Sequence, residues 1–208
     1  MKITRYFQSC LLVEEGDARI LIDPSGEEKD RVAEFGKLDA VLYTHEHADH
    51  FDAEMAQNFV EQGIVPVYAN TSTAKLIKAS KTEVTDGQEF DIKDIHIKVI
   101  ELPHCLMPDG GEGPQNTGYL INSRLFVPGD GKELAGLQVD NLALPITGPD
   151  VSMKDAFSFA KQLGSKNVVP IHYDTLGANP NTYEKFAGFF PSLTFKFHIL
   201  GHGESVEL

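Results

Sequence analysis

The first half of the chain alternates between short apolar runs and polar or glycine-containing turns. Runs of roughly four to eight residues with this patterning are typical of β-strands. The turn Glu15-Gly16-Asp17 separates two of these runs. The pattern predicts strands at Ile3–Phe7, Cys10–Val13, Arg19–Ile22, Leu38–Thr44, Val65–Tyr68, Glu89–Ile92, Ile95–Leu102, Thr117–Ile121, Leu125–Val127, Asn167–Ile171 and Thr194–Ile199.

Helical patterning occurs in fewer places. Asp52 is a predicted N-cap, because a short acceptor side chain there can satisfy the free N–H groups of a first turn. The predicted helices run over about Ala53–Gln62, Ser72–Ala79, Met153–Leu163 and Thr182–Phe189. Since these helices are interspersed among many strands, we expect an α/β (α+β) fold of two sheets covered by helices. A length of 208 residues fits a single domain over residues 1–208.

The composition narrows the functional classes. The chain has 18 basic against 31 acidic side chains, a net charge of −13, and no stripe of Lys and Arg. We therefore expect no nucleic-acid partner, because such binding needs cations to neutralise phosphates. No apolar run approaches the roughly 20 residues that cross a bilayer, so no membrane partner is expected. Two cysteines, Cys10 and Cys105, are too few for a disulfide framework, and we expect a cytoplasmic protein.

One hexapeptide concentrates metal-binding chemistry. Residues 45–50 read His-Glu-His-Ala-Asp-His, directly after an apolar run. Imidazole and carboxylate are ligands suited to zinc and its first-row neighbours. Residues two apart in extended backbone point to the same side, so His45 and His47 can grip one ion. Asp49 and His50 lie further along a turn and can face a second ion.

A two-metal site needs more ligands, and three further residues are placed to supply them. His104, Asp130 and His172 each follow an apolar predicted strand, where loops collect at one edge of a sheet. His104 also opens the segment Pro103–Gln115, which holds three Gly and three Pro without periodicity. Irregular segments of that length are usually functional or mobile. We therefore expect this loop to border the site.

The order His-x-His-x-Asp-His, a lone His, Gly-Asp and a final His resembles the metallo-β-lactamase superfamily. Segments 8–13, 20–24 and 116–120 are similar to small single-domain hydrolases of the ascorbate-6-phosphate lactonase-like branch. The resemblance runs over nearly the whole chain and implies a four-layer αββα sandwich. One departure is Gln8, where members of this branch often carry histidine. The resemblance therefore assigns Gln8 no role.

The resemblance also implies the roles of seven residues. His45, His47 and His104 would hold one ion, while Asp49, His50 and His172 would hold the second. Asp130 would bridge the two ions. Asp49 would also be catalytic, by orienting the nucleophile or accepting its proton.

These residues predict a dinuclear metal-dependent hydrolase. Two divalent ions with two ionised aspartates leave net positive charge, which suits a metal-bridging hydroxide as the nucleophile. Zinc is the preferred ion, and manganese, iron and nickel suit the same ligands. The expected substrate is a small ester, lactone, amide or phosphodiester, and the oligomeric state stays open. Two alternatives are an iron-dependent oxidative enzyme and a catalytically silent metal-binding or regulatory protein of the same fold.

Several neighbouring residues have plainer interpretations. Asp23, before Pro24 at a strand end, is expected to be a turn residue or to hold a metal ligand in place without itself binding the ion. Asn116 is a candidate for donating to substrate or for capping backbone. Cys105 adjoins His104, and with a His/Asp set already present it is interpreted as a small buried or lining residue.

Overall fold

In the part of the chain that the structure describes, two sheets of seven strands each form the centre of the protein. The computed structural model describes residues 1–61 and 65–208. The first sheet contains β1 (Lys2–Arg5), β2 (Leu11–Glu15), β3 (Ala18–Ile22), β4 (Ala40–Tyr43), β5 (Val67–Ala69), β6 (Thr82–Glu83) and β14 (Ser205–Glu207). The second contains β7 (Glu89–Ile92), β8 (Ile95–Glu101), β9 (Thr117–Ile121), β10 (Leu125–Val127), β11 (Asn141–Pro145), β12 (Asn167–Ile171) and β13 (Lys196–Phe197).

Each sheet changes from antiparallel to parallel pairing along its width. The first sheet has the order β14-β1-β2-β3-β4-β5-β6, with parallel pairing from β3 onward. The second has the order β13-β12-β11-β10-β9-β8-β7, and its parallel half runs from β10 to β13. Parallel strands end at a common edge of their sheet, so the residues that follow them can converge there.

The helices cover the two outer faces. They are α1 (Ala53–Glu61), α2 (Thr71–Ala74), α3 (Met153–Gln162) and α4 (Pro180–Ala187), with a 3₁₀ segment at Gly26–Phe35. In the ranges that the structure describes, no helix has both the length and the apolar character needed to cross a membrane.

Three apolar clusters show the layers. Alternate strand residues of both sheets, such as Leu11 and Ile97, meet in one cluster between the sheets. On the outer face of the first sheet, Leu12 packs with the 3₁₀ segment, α1 and α2. On the outer face of the second, Leu142 packs with Phe159 of α3 and with α4. This arrangement confirms the predicted four-layer αββα sandwich, with the period-two pattern of β-strands burying both faces.

Capping residues determine where the helices begin. Ser152 accepts from the Asp155 backbone N–H at 3.2 Å, and Asp155 accepts from the Ser152 N–H at 2.9 Å, which is a capping box for α3. Asn179 caps α4, whose first residue is Pro180. The predicted start of this helix at Thr182 was therefore two residues late.

The predicted helix Ser72–Ala79 was wrong in extent, because α2 ends at Ala74. The next turn tightens, with the Leu76 N–H donating to the Thr73 carbonyl. Gln57 of α1 then accepts the N–H groups of Lys78 and Ala79 through its Oε1, at 3.1 and 2.9 Å. These backbone donors are thereby taken away from helical pairing. The predicted α1 ended at Gln62, which lies outside the described residues.

Some strand boundaries also differ from the prediction. The predicted strands Ile3–Phe7, Val65–Tyr68 and Thr194–Ile199 are observed as Lys2–Arg5, Val67–Ala69 and Lys196–Phe197. Sequence patterning missed the 3₁₀ segment and three strands, β6, β11 and β14. Every residue of β11 is buried, so it lacks the alternation that marks a half-exposed strand. The short edge strands β6 and β14 are defined by their pairing partners rather than by their own pattern.

Candidate metal centre

The candidate site lies where strands of the two sheets end. His45 follows β4 after Thr44, and His172 directly follows β12. His104 lies beyond β8, in an isolated antiparallel bridge with Gly131. The Cys105 N–H donates to the Asp130 carbonyl at 3.0 Å, which keeps His104 beside Asp130. Since Asp130 itself follows β10, the structure brings residues from the ends of four strands to one place.

All seven predicted metal ligands come together, in two adjoining groups. One group is His45, His47, His104 and Asp130, and the other is Asp49, His50 and His172. Within each group, one candidate ligand atom from every residue lies within 4.8 Å of those from the others. His47 and Asp49 are partly exposed, and the other five are buried. The site is thus a buried cluster with an opening at His47 and Asp49.

The carboxylate of Asp130 lies between the two groups. Its Oδ2 is 3.3 Å from His104 Nε2 and 4.0 Å from His45 Nε2 in the first group. The same oxygen is 3.3 Å from His172 Nε2, and Oδ1 is 3.0 Å from His50 Nε2. A bridging carboxylate would need this position, with one side toward each group.

Each buried imidazole is anchored through Nδ1. His104 Nδ1 lies 2.6 Å from the Cys105 carbonyl oxygen, and His172 Nδ1 lies 2.8 Å from that of Thr147. His50 Nδ1 is 2.8 Å from Asp23 Oδ2, and His45 Nδ1 is 3.0 Å from Thr44 Oγ1. Carbonyl and carboxylate oxygens only accept, and the Thr44 hydroxyl gives its own hydrogen to Asp23 Oδ2, so each of these rings carries a proton on Nδ1.

The other nitrogen of each ring, Nε2, is buried and has no hydrogen-bond partner in His45, His50, His104 and His172. Asp130 Oδ1 is buried and unpartnered as well. Buried polar atoms are usually hydrogen-bonded, so this many unpartnered atoms at one point need an explanation. Neutral Nε2 atoms and carboxylate oxygens are the donor set of zinc and related cations, and the residues fit such an ion.

Asp23 holds the inner side of the second group. Its Oδ1 accepts from the Thr44 N–H at 2.7 Å, and its Oδ2 accepts from Thr44 Oγ1 at 2.7 Å and from His50 Nδ1. The side chain is fully buried. Of the two roles expected for Asp23, turn residue or support of a ligand, these contacts fit the support of the candidate ligand His50. Because β3 and β4 are parallel neighbours, the end of β3 places Asp23 beside Thr44 and the metal-ligand candidates.

Asn116 positions the backbone around Asp130. It is buried and donates through Nδ2 to the carbonyls of Leu102 and Pro128, at 3.3 and 2.9 Å, while Oδ1 accepts from the Asp130 N–H at 3.2 Å. A Cβ on Gly129, whose φ is +58°, would lie 2.2 Å from Asn116 Oδ1. The close approach therefore requires glycine here. Asn116 has the capping role, and its amide is directed at backbone.

Burial and neighbouring charges determine the protonation of the cluster. Burial lowers the pKa of His45 and His47, so these rings are neutral at neutral pH. Burial alone would raise the pKa of Asp49 and Asp130, but the facing imidazoles, His172 among them, hold both pKa values well below the ordinary range. Neutral imidazoles and ionised carboxylates are the forms that bind a cation.

His50 and His104 differ from these rings. Burial would lower both pKa values, but the carboxylates of Asp130 and Asp23 hold the pKa of His50 well above its ordinary value, and the contact with Asp130 raises the pKa of His104 to about 10. A proton on His104 Nε2 competes with a cation for the same lone pair. Uptake of a cation at this position therefore releases a proton.

The loop Pro103–Gln115 contacts the cluster at His104, as expected. A Cβ on Gly113 would lie 2.3 Å from His104 Nδ1 and 2.5 Å from its Cγ, so the loop backbone runs directly against this ring. The same loop lines a cleft of about 760 Å³ that also has His104 in its wall. Cys105 is buried, as expected for a lining residue.

Comparisons with known proteins agree with this geometry. The family model described as "Beta-lactamase superfamily domain" matches residues 2–172. The chain belongs to the beta-lactamase superfamily. Within the superfamily, a UPF0173 protein of Pyrococcus furiosus is 33% identical over 205 residues, covering 89% of this chain and 90% of its own. A "UPF0173 metal-dependent hydrolase" of Christiangramia forsetii is 30% identical and covers 100% of both chains.

A solved structure has the same fold. Igni18, described as a metallo hydrolase from Ignicoccus hospitalis, superposes with a TM-score of 0.78 at 22% identity, covering 99% of this chain and 97% of its own. The relationship to metal-dependent hydrolases of the superfamily confirms the family resemblance. The narrower likeness to the ascorbate-6-phosphate lactonase-like branch stays a prediction.

Replacing Asp23 tests the support of His50. In Asp23→Asn the side chain keeps its size but loses the charge that orients His50 Nδ1. Because such outer partners are worth about 10- to 100-fold in metal affinity, we expect a loss of that size for one cation. Titration with Zn²⁺ against a chromogenic chelator measures it. Asp39→Asn, at an ion pair with Lys93, is the control, and equal affinities in the two variants would contradict the role.

Gly113 offers a test from the loop. The new Cβ of Gly113→Ala must displace the ring of His104, so we expect weaker cation binding by about 10-fold or more. Gly111→Ala is the matched control, because its Cβ would meet only the Asp109 side chain, at 3.1 Å. Elemental analysis after dialysis against a chelator measures retention. Wild-type retention by Gly113→Ala would show that the loop does not position His104.

Proposed function

We propose that the protein is a dinuclear metal-dependent hydrolase of a small ester, lactone, amide or phosphodiester. The observation that carries the proposal is the set of four unpartnered imidazole Nε2 atoms around the buried Asp130 carboxylate. Relatives named as metal-dependent hydrolases support the reaction class. Since fold does not decide chemistry, the donor atoms of the site itself are what favour this reaction class.

The two groups of side chains suggest how two cations would be held. His45, His47 and His104 would bind the first, and Asp130, which lies between the two groups, would bridge both. Asp49, His50 and His172 would bind the other. Two divalent ions held there would supply an activated water at neutral pH and would polarise the oxygen of the attacked group. The chain holds the ligands in place through the Nδ1 contacts and leaves one side open.

Asp49 faces that open side. Its side chain is 32% exposed, whereas that of Asp130 is 5% exposed. Its Oδ2 is 3.2 Å from His172 Nε2. This position suits a carboxylate that binds a cation and also orients the attacking water. Asp49 is therefore the proposed catalytic residue as well as a ligand.

Zinc is the proposed ion, because the set of five histidines and two aspartates combines borderline nitrogen ligands with carboxylates. Manganese, iron and nickel suit the same atoms. The partner is proposed to be a small molecule. The cleft beside His104 has a volume typical of ligand sites, about 760 Å³, and three carboxylates line it, from Asp86, Glu101 and Glu112. An acidic wall disfavours nucleic acid.

Two other functions differ from hydrolysis in their readouts. An iron-dependent oxidative enzyme would use the same ligands but would consume O₂ and retain iron on purification. A silent regulatory protein would bind metal without turnover. The metal content of protein purified without added metal, measured together with O₂ uptake, separates these alternatives.

A substrate panel tests the reaction class. Zinc-loaded protein is expected to hydrolyse at least one class among aryl esters, lactones, thioesters and phosphodiesters, followed by release of acid or chromophore. Activity should disappear on chelation and return on adding the ion. No turnover across the panel with both cations bound would favour the silent protein.

Removing ligands tests the assignment. His47→Ala and Asp130→Ala should each lower activity by about 100-fold or more. The loss of a residue that binds the metal directly costs more activity than the loss of one that only orients a ligand. Both variants should also hold less metal by elemental analysis. His96→Ala, at an exposed histidine beside Asp91, is the control. Wild-type metal content and activity in either variant would remove that residue from the site.

A further inference from the structure

Gln8 is buried next to the candidate metal centre, although sequence reasoning assigned it no role. It lies in the turn between β1 and β2 and is fully buried. Its φ of +54° is in the left-handed region, which is uncommon for a residue other than glycine. Strained backbone of this kind persists where surrounding contacts impose it. The contacts of Gln8 therefore need an account.

The backbone of Gln8 is tied to the segment that carries His172. The Gln8 carbonyl accepts from the His172 N–H at 2.9 Å. The Gln8 N–H donates to Asp174 Oδ2 at 2.7 Å, and the guanidinium of Arg5 pairs with the same carboxylate oxygen. Arg5 is itself buried and lies over the Tyr173 ring at 4.0 Å. This turn thus holds residues 172–174 from the opposite sheet.

The side chain of Gln8 is oriented from one end. Its Oε1 accepts from the Thr175 N–H at 3.1 Å, so the amide must turn its NH₂ group the other way. That group, Nε2, donates to Asp49 Oδ2 at 3.0 Å. An amide NH₂ only donates, so Asp49 can only accept in this contact.

We propose that Gln8 is the positioning residue of the second cation group, through its contacts with Asp49 and His172. This inference rests on the proposed function. Gln8 orients the carboxylate of Asp49 with its side chain and the backbone of His172 with its carbonyl. One residue, from the turn between β1 and β2, thereby fixes the relative positions of two of the three proposed ligands in this group. The first group has no such contact with Gln8 among the described residues.

A consequence concerns the role of Asp49. The oxygen that accepts from Gln8 is also the one 3.2 Å from His172 Nε2. A carboxylate held in this way is kept in one rotamer, facing the cation position. Gln8 therefore favours Asp49 as a fixed ligand over Asp49 as a freely rotating proton acceptor.

The test compares two variants of Gln8 by cation titration. Gln8→Met keeps the length of the side chain and removes both hydrogen bonds. Gln8→Glu keeps an acceptor for Thr175 but places a carboxylate against Asp49. In both, we expect one of the two Zn²⁺ equivalents to bind about 10- to 100-fold more weakly, with the other unchanged. Chelator competition resolves the two equivalents without relying on turnover.

Gln57 provides a matched control. It makes the same kinds of contact at the surface, accepting backbone N–H groups through Oε1 and donating to Glu61 through Nε2. Gln57→Met should leave both Zn²⁺ affinities unchanged. Thermal unfolding of the metal-free proteins measures any general loss of stability. Such a loss in Gln8→Met would lower the unfolding temperature without changing the ratio of the two Zn²⁺ affinities.

The outcomes separate a positioning role from a structural one. Equal weakening of both equivalents, or wild-type binding in Gln8→Glu, would overturn the proposal. The second result would mean that only the contact with Thr175 matters. If the wild-type protein takes up one equivalent, the two-cation function fails. In that case, weaker binding in both Gln8 variants would still support the positioning role, and unchanged binding would overturn it.

Discussion

The buried carboxylate of Asp130 is the constraint on which the site depends. An ionised carboxylate away from water is costly unless charges or hydrogen bonds compensate it. Among the described residues, its ion-pair partners are histidines alone: His45, His50, His104 and His172. Their Nε2 atoms face it without hydrogen-bond geometry. Protons or cations between the groups can compensate this charge, and the anchoring of the rings at Nδ1 leaves each Nε2 directed at the position that a cation would take.

The two-sheet architecture produces this convergence. Each sheet becomes parallel on one side, so several strands end at one edge. The ligands are thereby carried on strand ends, while the contacts that orient them come from carbonyls and from Asp23 and Asn116. Rigid sheets provide the precision that the proposed metal site would require, and the loop against His104 leaves room for substrates to vary.

Among the described residues, three of the six left-handed residues other than glycine lie at the second cation group. Gln8, Asp23 and His172 have φ values of +54°, +50° and +60°. Left-handed residues other than glycine cost about 1–3 kcal/mol each and cluster at functional sites. Here Gln8 holds Asp49 and the His172 backbone, and Asp23 holds His50. The three strained residues are thus the proposed ligand His172 and the two residues that hold the proposed ligands Asp49 and His50. Packing between the sheets keeps them in place.

The sequence alone predicted the class of fold and the seven candidate ligands that the structure brings together. Seven side chains that can bind a metal ion follow apolar runs. Residue type and position after such a run can both be read from the sequence without knowing which strands pair. Burial on both faces hid β11, and β6 and β14 depend on pairing partners far along the chain, so local patterning could not show them. The helix at Ser72 stopped early because Gln57, from another helix, takes its backbone donors. The role of Gln8 was likewise undetermined, since its partners Asp49, His172 and Thr175 lie 41 to 167 positions away and meet only when the two sheets pack together.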